Sequence, residues 1–239
     1  MSTADVLFFP GGAYDGQQDS SMKMCAIREC FEETGVLYTC SKRPQRSTLE
    51  SARHEVHAGR SKFAQFLLDH SMIANEDGLL PFTTWITPKS MPKRFDNKFY
   101  LAFLDEEQST GHFSCPSSDG QAETVSADFI HPRDALLSFQ RKEILLYPPQ
   151  FYLISAINNC IQHANPKINL QMYSQMEGEA IFDPEPVGKA SDGRSILALD
   201  GDEARDGVIG SRNRMLLMTC KGAPQSIELI QNIIPISKL

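Results

Sequence analysis

Several things are scarce in this sequence, and each absence narrows what the chain does. No apolar run reaches the ~20 residues that a membrane-spanning helix needs, and no charged-then-apolar leader opens the chain. Six cysteines (Cys25, Cys30, Cys40, Cys115, Cys160 and Cys220) form no C-x-x-C pair. Cys25 and Cys30 read as helix core, and a reducing compartment is the simpler inference. Basic residues are outnumbered, 23 Lys and Arg against 30 Asp and Glu, for a formal charge of −7. That balance argues against nucleic acid as a partner, since a nucleic-acid surface shows a basic stripe. It leaves phosphorylated small molecules open, because bound cations and a few local bases reverse the local sign. There is no internal repeat and no low-complexity tract. What remains is 239 residues with 41% hydrophobic content, enough for one domain with appendages and a sizeable core.

The densest chemical signal is Arg28-Glu29-Cys30-Phe31-Glu32-Glu33-Thr34-Gly35-Val36, preceded by the glycine turn Phe9-Pro10-Gly11-Gly12. On a helix, Glu29, Glu32 and Glu33 stand three and four residues apart and share one face. Ile27, Cys30 and Phe31 fall on the other side. Three carboxylates on one face repel unless a cation joins them, and hard divalent ions such as Mg²⁺ take oxygen ligands and share them with phosphates. The competing reading is a solvated acidic face. The surroundings favour a built helix: Ser20 or Ser21 caps its start, and Gly35 supplies the left-handed residue that closes its end.

A glycine turn, a loop, a capped helix carrying R-E-x-x-E-E, then glycine and an aliphatic residue resembles the box of the Nudix hydrolases. The second half matches position by position. The first half departs: the interval from Gly12 to Arg28 is two residues longer than the short form, and the usual early glutamate is missing, with Ser20 at its offset and Asp19 beside it. A longer interval is similar to the branch of peroxisomal coenzyme A and acyl-CoA diphosphatases. A second stretch agrees with that branch: a helical insertion followed by P-F-x-x-W-x-T-P from Pro81, then P-x-R-F-D from Pro92, and P-P-Q-F-Y from Pro148.

The resemblance implies an α+β fold, an α/β/α sandwich around a mixed sheet, with an inserted helical segment at about 41–78 and a C-terminal β extension. It divides the chain into residues 1–164, a Nudix domain lacking the usual N-terminal strands, and 165–239, packed on it. It implies hydrolysis of a diphosphate linkage in coenzyme A or acyl-CoA, with Mg²⁺ or Mn²⁺ held by Glu29, Glu32 and Glu33. Arg28, Glu32 and Glu33 are the catalytic candidates, with the base left open between the two glutamates. Gly11 and Gly12 shape the turn that seats the helix. Lys93 and Arg94 are candidate phosphate contacts or a solvated hairpin tip, and Glu123 is a candidate metal or substrate contact or a loop carboxylate. Alternatives are a hydrolase of another nucleoside diphosphate derivative, capped RNA included, or an inactive binding protein of the same fold. The terminal Ser237-Lys238-Leu239 matches the peroxisomal address read by the import receptor, with a cytoplasmic location as the alternative.

Local patterns complete the expectation. Residues 41–55 read as loop or loosely ordered helix, 59–70 as helix, and 80–87 and 98–104 as strands. His131 stands at the start of a helix whose first turn takes Pro132, and Phe151, Ile154, Ile157 and Ile161 form a packing stripe on the next. Short strands follow at 181–182, 196–199 and 215–218, and 226–236 packs as a last strand or helix. Asp200 to Asp206 is only superficially calcium-like, because it lacks the EF-hand spacing.

Overall fold

The computed structural model describes residues 5–104 and 127–232. The fold is α+β, with six helices and nine strands among the described residues. Two compact units interleave along the chain: residues 9–80 with 100–129, and residues 1–8 with 81–99 and 130–239. Residues 165–239 fall wholly within the second of these.

The first unit is helical. Helix α1 spans Met22–Thr34, α2 Arg46–His57 and α3 Phe63–Asp69. Segment 41–55, expected as loop or loose helix, thus contributes a three-turn helix. The core gathers Ile27 and Phe31 of α1, Val56 of α2, and Phe63, Phe66 and Leu67 of α3 around Leu37, Tyr38, Met72 and Leu79. Phe31 is wholly buried between Phe63 and Phe66, with ring centroids 5.5 Å from each. Burying such rings contributes about 1.5–3 kcal/mol apiece. That packing fixes the rotation of α1 about its axis and so decides which way its acidic face turns.

The second unit carries the strands. β1 (Asp5–Val6) pairs in parallel with β4 (Ile144–Leu145). β2 (Leu80–Ile86) lies between β3 (Asp96–Leu101) and β5 (Ile181–Phe182), parallel to β5. β6 (Glu185–Lys189), β7 (Ser195–Ala198), β8 (Arg212–Cys220) and β9 (Ala223–Asn232) form an antiparallel meander, as the C-terminal β extension requires.

Helix α4 (Pro132–Gln140) begins as expected, with the His131 ring accepting the Arg133 N–H at 3.2 Å and Pro132 in its first turn. Helix α5 (Pro148–Ile161) corrects the expected stripe: its buried residues are Tyr152, Leu153, Ile154 and Asn158, and only Ile154 was among those anticipated. Helix α6 (Pro166–Glu177) was not anticipated at all. The Asp200 to Asp206 loop is closed on itself. Asp202 is fully buried and accepts from the Arg214 guanidinium at 2.7 Å through both oxygens, and from the Ala204 and Asn213 N–H groups. Those four donors use its acceptor capacity, which explains the loop without a cation.

Candidate active site

Helix α1 is capped at both ends, by a side chain at its start and by a left-handed backbone at its close. Ser21 is the N-cap, its hydroxyl accepting the Met24 N–H at 2.9 Å. Of the two serines considered, Ser21 is therefore the one used. Gly35 ends the helix with φ +78°, its N–H donating to Phe31 O at 2.8 Å. An ordinary L-residue there would pay roughly 1–2 kcal/mol for the left-handed backbone.

Arg28 organises the polar face. It is 5% exposed, so its pairing with Glu32 is a buried one. Its Nε and Nη2 meet the two oxygens of Asp19 at 2.8 Å each, a bidentate fork. Nη2 also donates to Ala13 O at 3.2 Å. Nη1 donates to Glu29 Oε1 at 2.7 Å and to Glu32 Oε1 at 3.0 Å. The guanidinium thus holds two of the three helix carboxylates on one side and a buried aspartate on the other. Glu33 turns to the glycine loop, where its Oε2 accepts the Gly11 N–H at 3.3 Å. Glu29 lies against the same loop: a Cβ added at Gly12 would stand 2.5 Å from its carboxyl atoms. Gly12 therefore leaves room for a carboxylate, which goes beyond turn geometry.

The side chains of Glu29 and Glu32 keep only 15% and 16% of their exposure, which sets aside a freely solvated acidic face. Burial raises the Glu29 pKa above the ordinary glutamate value, with Arg28 opposing it. Burial also pushes Asp19 upward, but the Arg28 fork and the Asp15 N–H outweigh it, and its pKa ends below the usual aspartate value. The Asp19 hydrogen bonds in turn raise the Arg28 pKa, so that cation is permanent. Burial lifts the Cys25 thiol to about 12, which makes it a core group and no nucleophile.

Asp19, beside the Ser20 offset, is the acid that pairs with Arg28. The early glutamate was sought at Ser20, which is exposed, whereas Asp19 one position earlier has a fully buried side chain. Loop 14–19 is wound to deliver it: Asp15 N–H donates to Asp19 Oδ2, Asp19 N–H to Asp15 O, and the Tyr14 hydroxyl to Asp19 O, all within 2.9 Å. Counting back from Arg28 lands on Ser20, so the acid one residue earlier is passed over.

The structure brings Glu29 and Glu33 to the glycine turn and holds Glu32 beside Glu29 through Arg28, without closing the three on one point. Among the described residues, no three His, Cys, Asp or Glu side chains are grouped closely enough to hold a metal ion as they stand. The physical reason is local, since Arg28 Nη1 stands between two of the carboxylates and Gly11 draws the third. The donors fit a hard divalent cation in kind: all are carboxylate oxygens, on one helix face, and partly desolvated.

Lys93 and Arg94 belong to the other unit. Both are exposed on the turn between β2 and β3: Arg94 donates to Thr87 O at 2.8 Å, and the Lys93 ammonium sits 4.9 Å from the centre of the Phe95 ring. Trp85 is core, 2% exposed and stacked on Phe182 at 4.9 Å. Glu123 and Ser237-Lys238-Leu239 lie outside the described residues.

Comparison with known proteins adds what geometry alone does not carry. The model of the NUDT19 Nudix domain matches residues 13–157, well over half of the chain. The chain belongs to that family. The match runs from the residue after the glycine turn into α5, so it takes in the Asp19, Arg28 and glutamate constellation. The chain is 29% identical to "Putative nudix hydrolase 7" of Caenorhabditis elegans over 178 residues, covering 68% of this chain and 56% of that one. It is 28% identical to the "Acyl-coenzyme A diphosphatase NUDT19" of Xenopus laevis over 177 residues, 66% of this chain and 43% of the relative. With the Homo sapiens protein of the same name it shares 30% over 160 residues, 59% and 40% of the two chains. The chain thus spans about half the length of the curated relatives it matches. No solved structure matches it.

Proposed function

We propose that this chain hydrolyses the diphosphate linkage of coenzyme A or acyl-CoA, giving (acyl-)phosphopantetheine and adenosine 3′,5′-bisphosphate, with Mg²⁺ or Mn²⁺. The observation that carries this reading is a buried Arg28 that holds Glu29 and Glu32 on one helix face, with Glu29 lying against Gly12 and Glu33 accepting the Gly11 N–H. Membership of the NUDT19 Nudix domain family, with relatives named acyl-coenzyme A diphosphatases, supports the choice of substrate class.

A cation bound by those carboxylates would neutralise phosphate charge and acidify a water. The chain's own residues do the rest. Asp19 anchors Arg28, and Arg28 orients Glu29 and Glu32. The Gly11 N–H holds Glu33 toward the turn. Glu32 or Glu33 takes the proton of the attacking water. Lys93 and Arg94, both exposed, are the proposed phosphate contacts by residue type, and Glu123 is a proposed metal or substrate contact on the resemblance alone. Peroxisomal import through Ser237-Lys238-Leu239 completes the reading.

Two experiments test it. Turnover of coenzyme A, an acyl-CoA, another nucleoside diphosphate derivative and a capped RNA is compared with Mn²⁺ at equal concentration. The coenzyme A pair should show the highest kcat/KM; preference for either of the others would reject the substrate assignment. For location, deleting the last three residues should leave a tagged protein in the cytosol, and undiminished import would reject the address.

A further inference from the structure

The buried arginine of α2 has no part in the box, yet it is tied to the same helix end. Arg53 is 9% exposed. Its Nε donates to Glu32 O at 2.9 Å, and its Nη2 donates to Glu33 O. Helices leave their last carbonyls without intrahelical partners. Here Phe31 O takes the Gly35 N–H, and the next two carbonyls take the two arms of one guanidinium. Gly35 lies under that side chain, since a Cβ placed there would contact Arg53 Cδ and Nη1 at 3.5 Å. Three turns of α2 keep the arginine in place, with Val56 buried in the core that also receives Ile27 and Phe31.

We infer that Arg53 is a positioning residue for the proposed cation site, through which α2 sets the direction of the Glu32 and Glu33 side chains. A peptide carbonyl pinned in space fixes the plane of its peptide group, and two consecutive pinned carbonyls fix the rotation of the last turn. The Cα–Cβ directions of residues 32 and 33 follow from that rotation. A planar guanidinium spans the two carbonyls with a rigid fork, whereas an ammonium provides the charge without the fork. The cation also stands at the negative end of the α1 dipole, which favours it there. This inference rests on the functional reading above, because its consequence is read at the carboxylates.

The test uses the full chain and Mn²⁺ as probe, with free Mn²⁺ counted by electron paramagnetic resonance. Arg53→Met keeps the apolar stem and should weaken Mn²⁺ binding about tenfold, the lower end for loss of a ligand-orienting partner. Arg53→Lys should fall between Arg53→Met and the wild type. Val56→Ala loosens α2 by packing alone; under conditions where circular dichroism shows it fully folded, it should bind Mn²⁺ as the wild type does. Wild-type affinity in folded Arg53→Met overturns the inference while leaving the functional reading standing. So does equal weakening by Val56→Ala, which would reduce Arg53 to general stability. If neither arginine variant folds, Arg53 is a residue of general stability and the inference is overturned. Absence of Mn²⁺ binding in the wild type overturns both.

Discussion

At the scale of single residues, one guanidinium connects the helix carboxylates to the loop before them. Arg28 gives hydrogen bonds to Asp19, Ala13, Glu29 and Glu32 while almost entirely buried, so every partner matters to its placement. Removing one member of a buried ion pair typically costs about 3–5 kcal/mol, because the other charge is left uncompensated. Asp19→Asn should therefore destabilise the fold by about that much in urea unfolding. The pH dependence has a definite sign. Asp19 has a lowered folded pKa, so its stabilisation is complete above the ordinary value of 3.8 and is lost as pH falls through the lower folded value. The variant should lose that part of the acid sensitivity, and an unchanged acid limb would contradict the assignment. Asp19 was hard to see in the sequence because counting back from Arg28 lands on Ser20, one residue later. Arg53 was invisible for another reason: it serves carbonyls 20 and 21 positions away, and no local periodicity reports such a contact.

Among elements, α1 was the most legible, since its termini are written in residue types with one dominant use. Serine before a run of helix formers and glycine after it predict caps, and both were found. Ser21→Ala should cost about 1 kcal/mol, the usual loss for a cap. Gly35→Ala should cost about 1–2 kcal/mol for its left-handed backbone. Thermal melts of the two variants measure this, and a neutral Gly35→Ala would contradict the cap geometry. Helix α5 was legible as a helix but not in its packing. Three consecutive residues, Tyr152, Leu153 and Ile154, are buried, so the element is covered on more than one side and offers no single stripe. Helix α6 went unread because its apolar residues do not mark one buried face: Ile168, Met172 and Met176 are exposed, while Leu170 and Ser174 are buried.

For the whole molecule, the α+β class came with the family resemblance, and the C-terminal β extension was readable from short strand-like pieces separated by Asp-Gly turns. The interleaving of the two units was not, because periodicity reports neighbours along the chain and not which distant segments meet. We propose that α1 presents its acids beside a glycine turn to act on a diphosphate, a reading that membership of the family supports. Mass-spectrometric product analysis after incubating the full chain with coenzyme A and Mn²⁺ tests that claim most directly. The wild type should release 4′-phosphopantetheine and adenosine 3′,5′-bisphosphate, and Glu32→Gln/Glu33→Gln should be slower by roughly 10²–10⁴-fold, the range for loss of a general base. A folded wild type that leaves coenzyme A intact, or a double variant that cleaves it equally fast, would contradict the account.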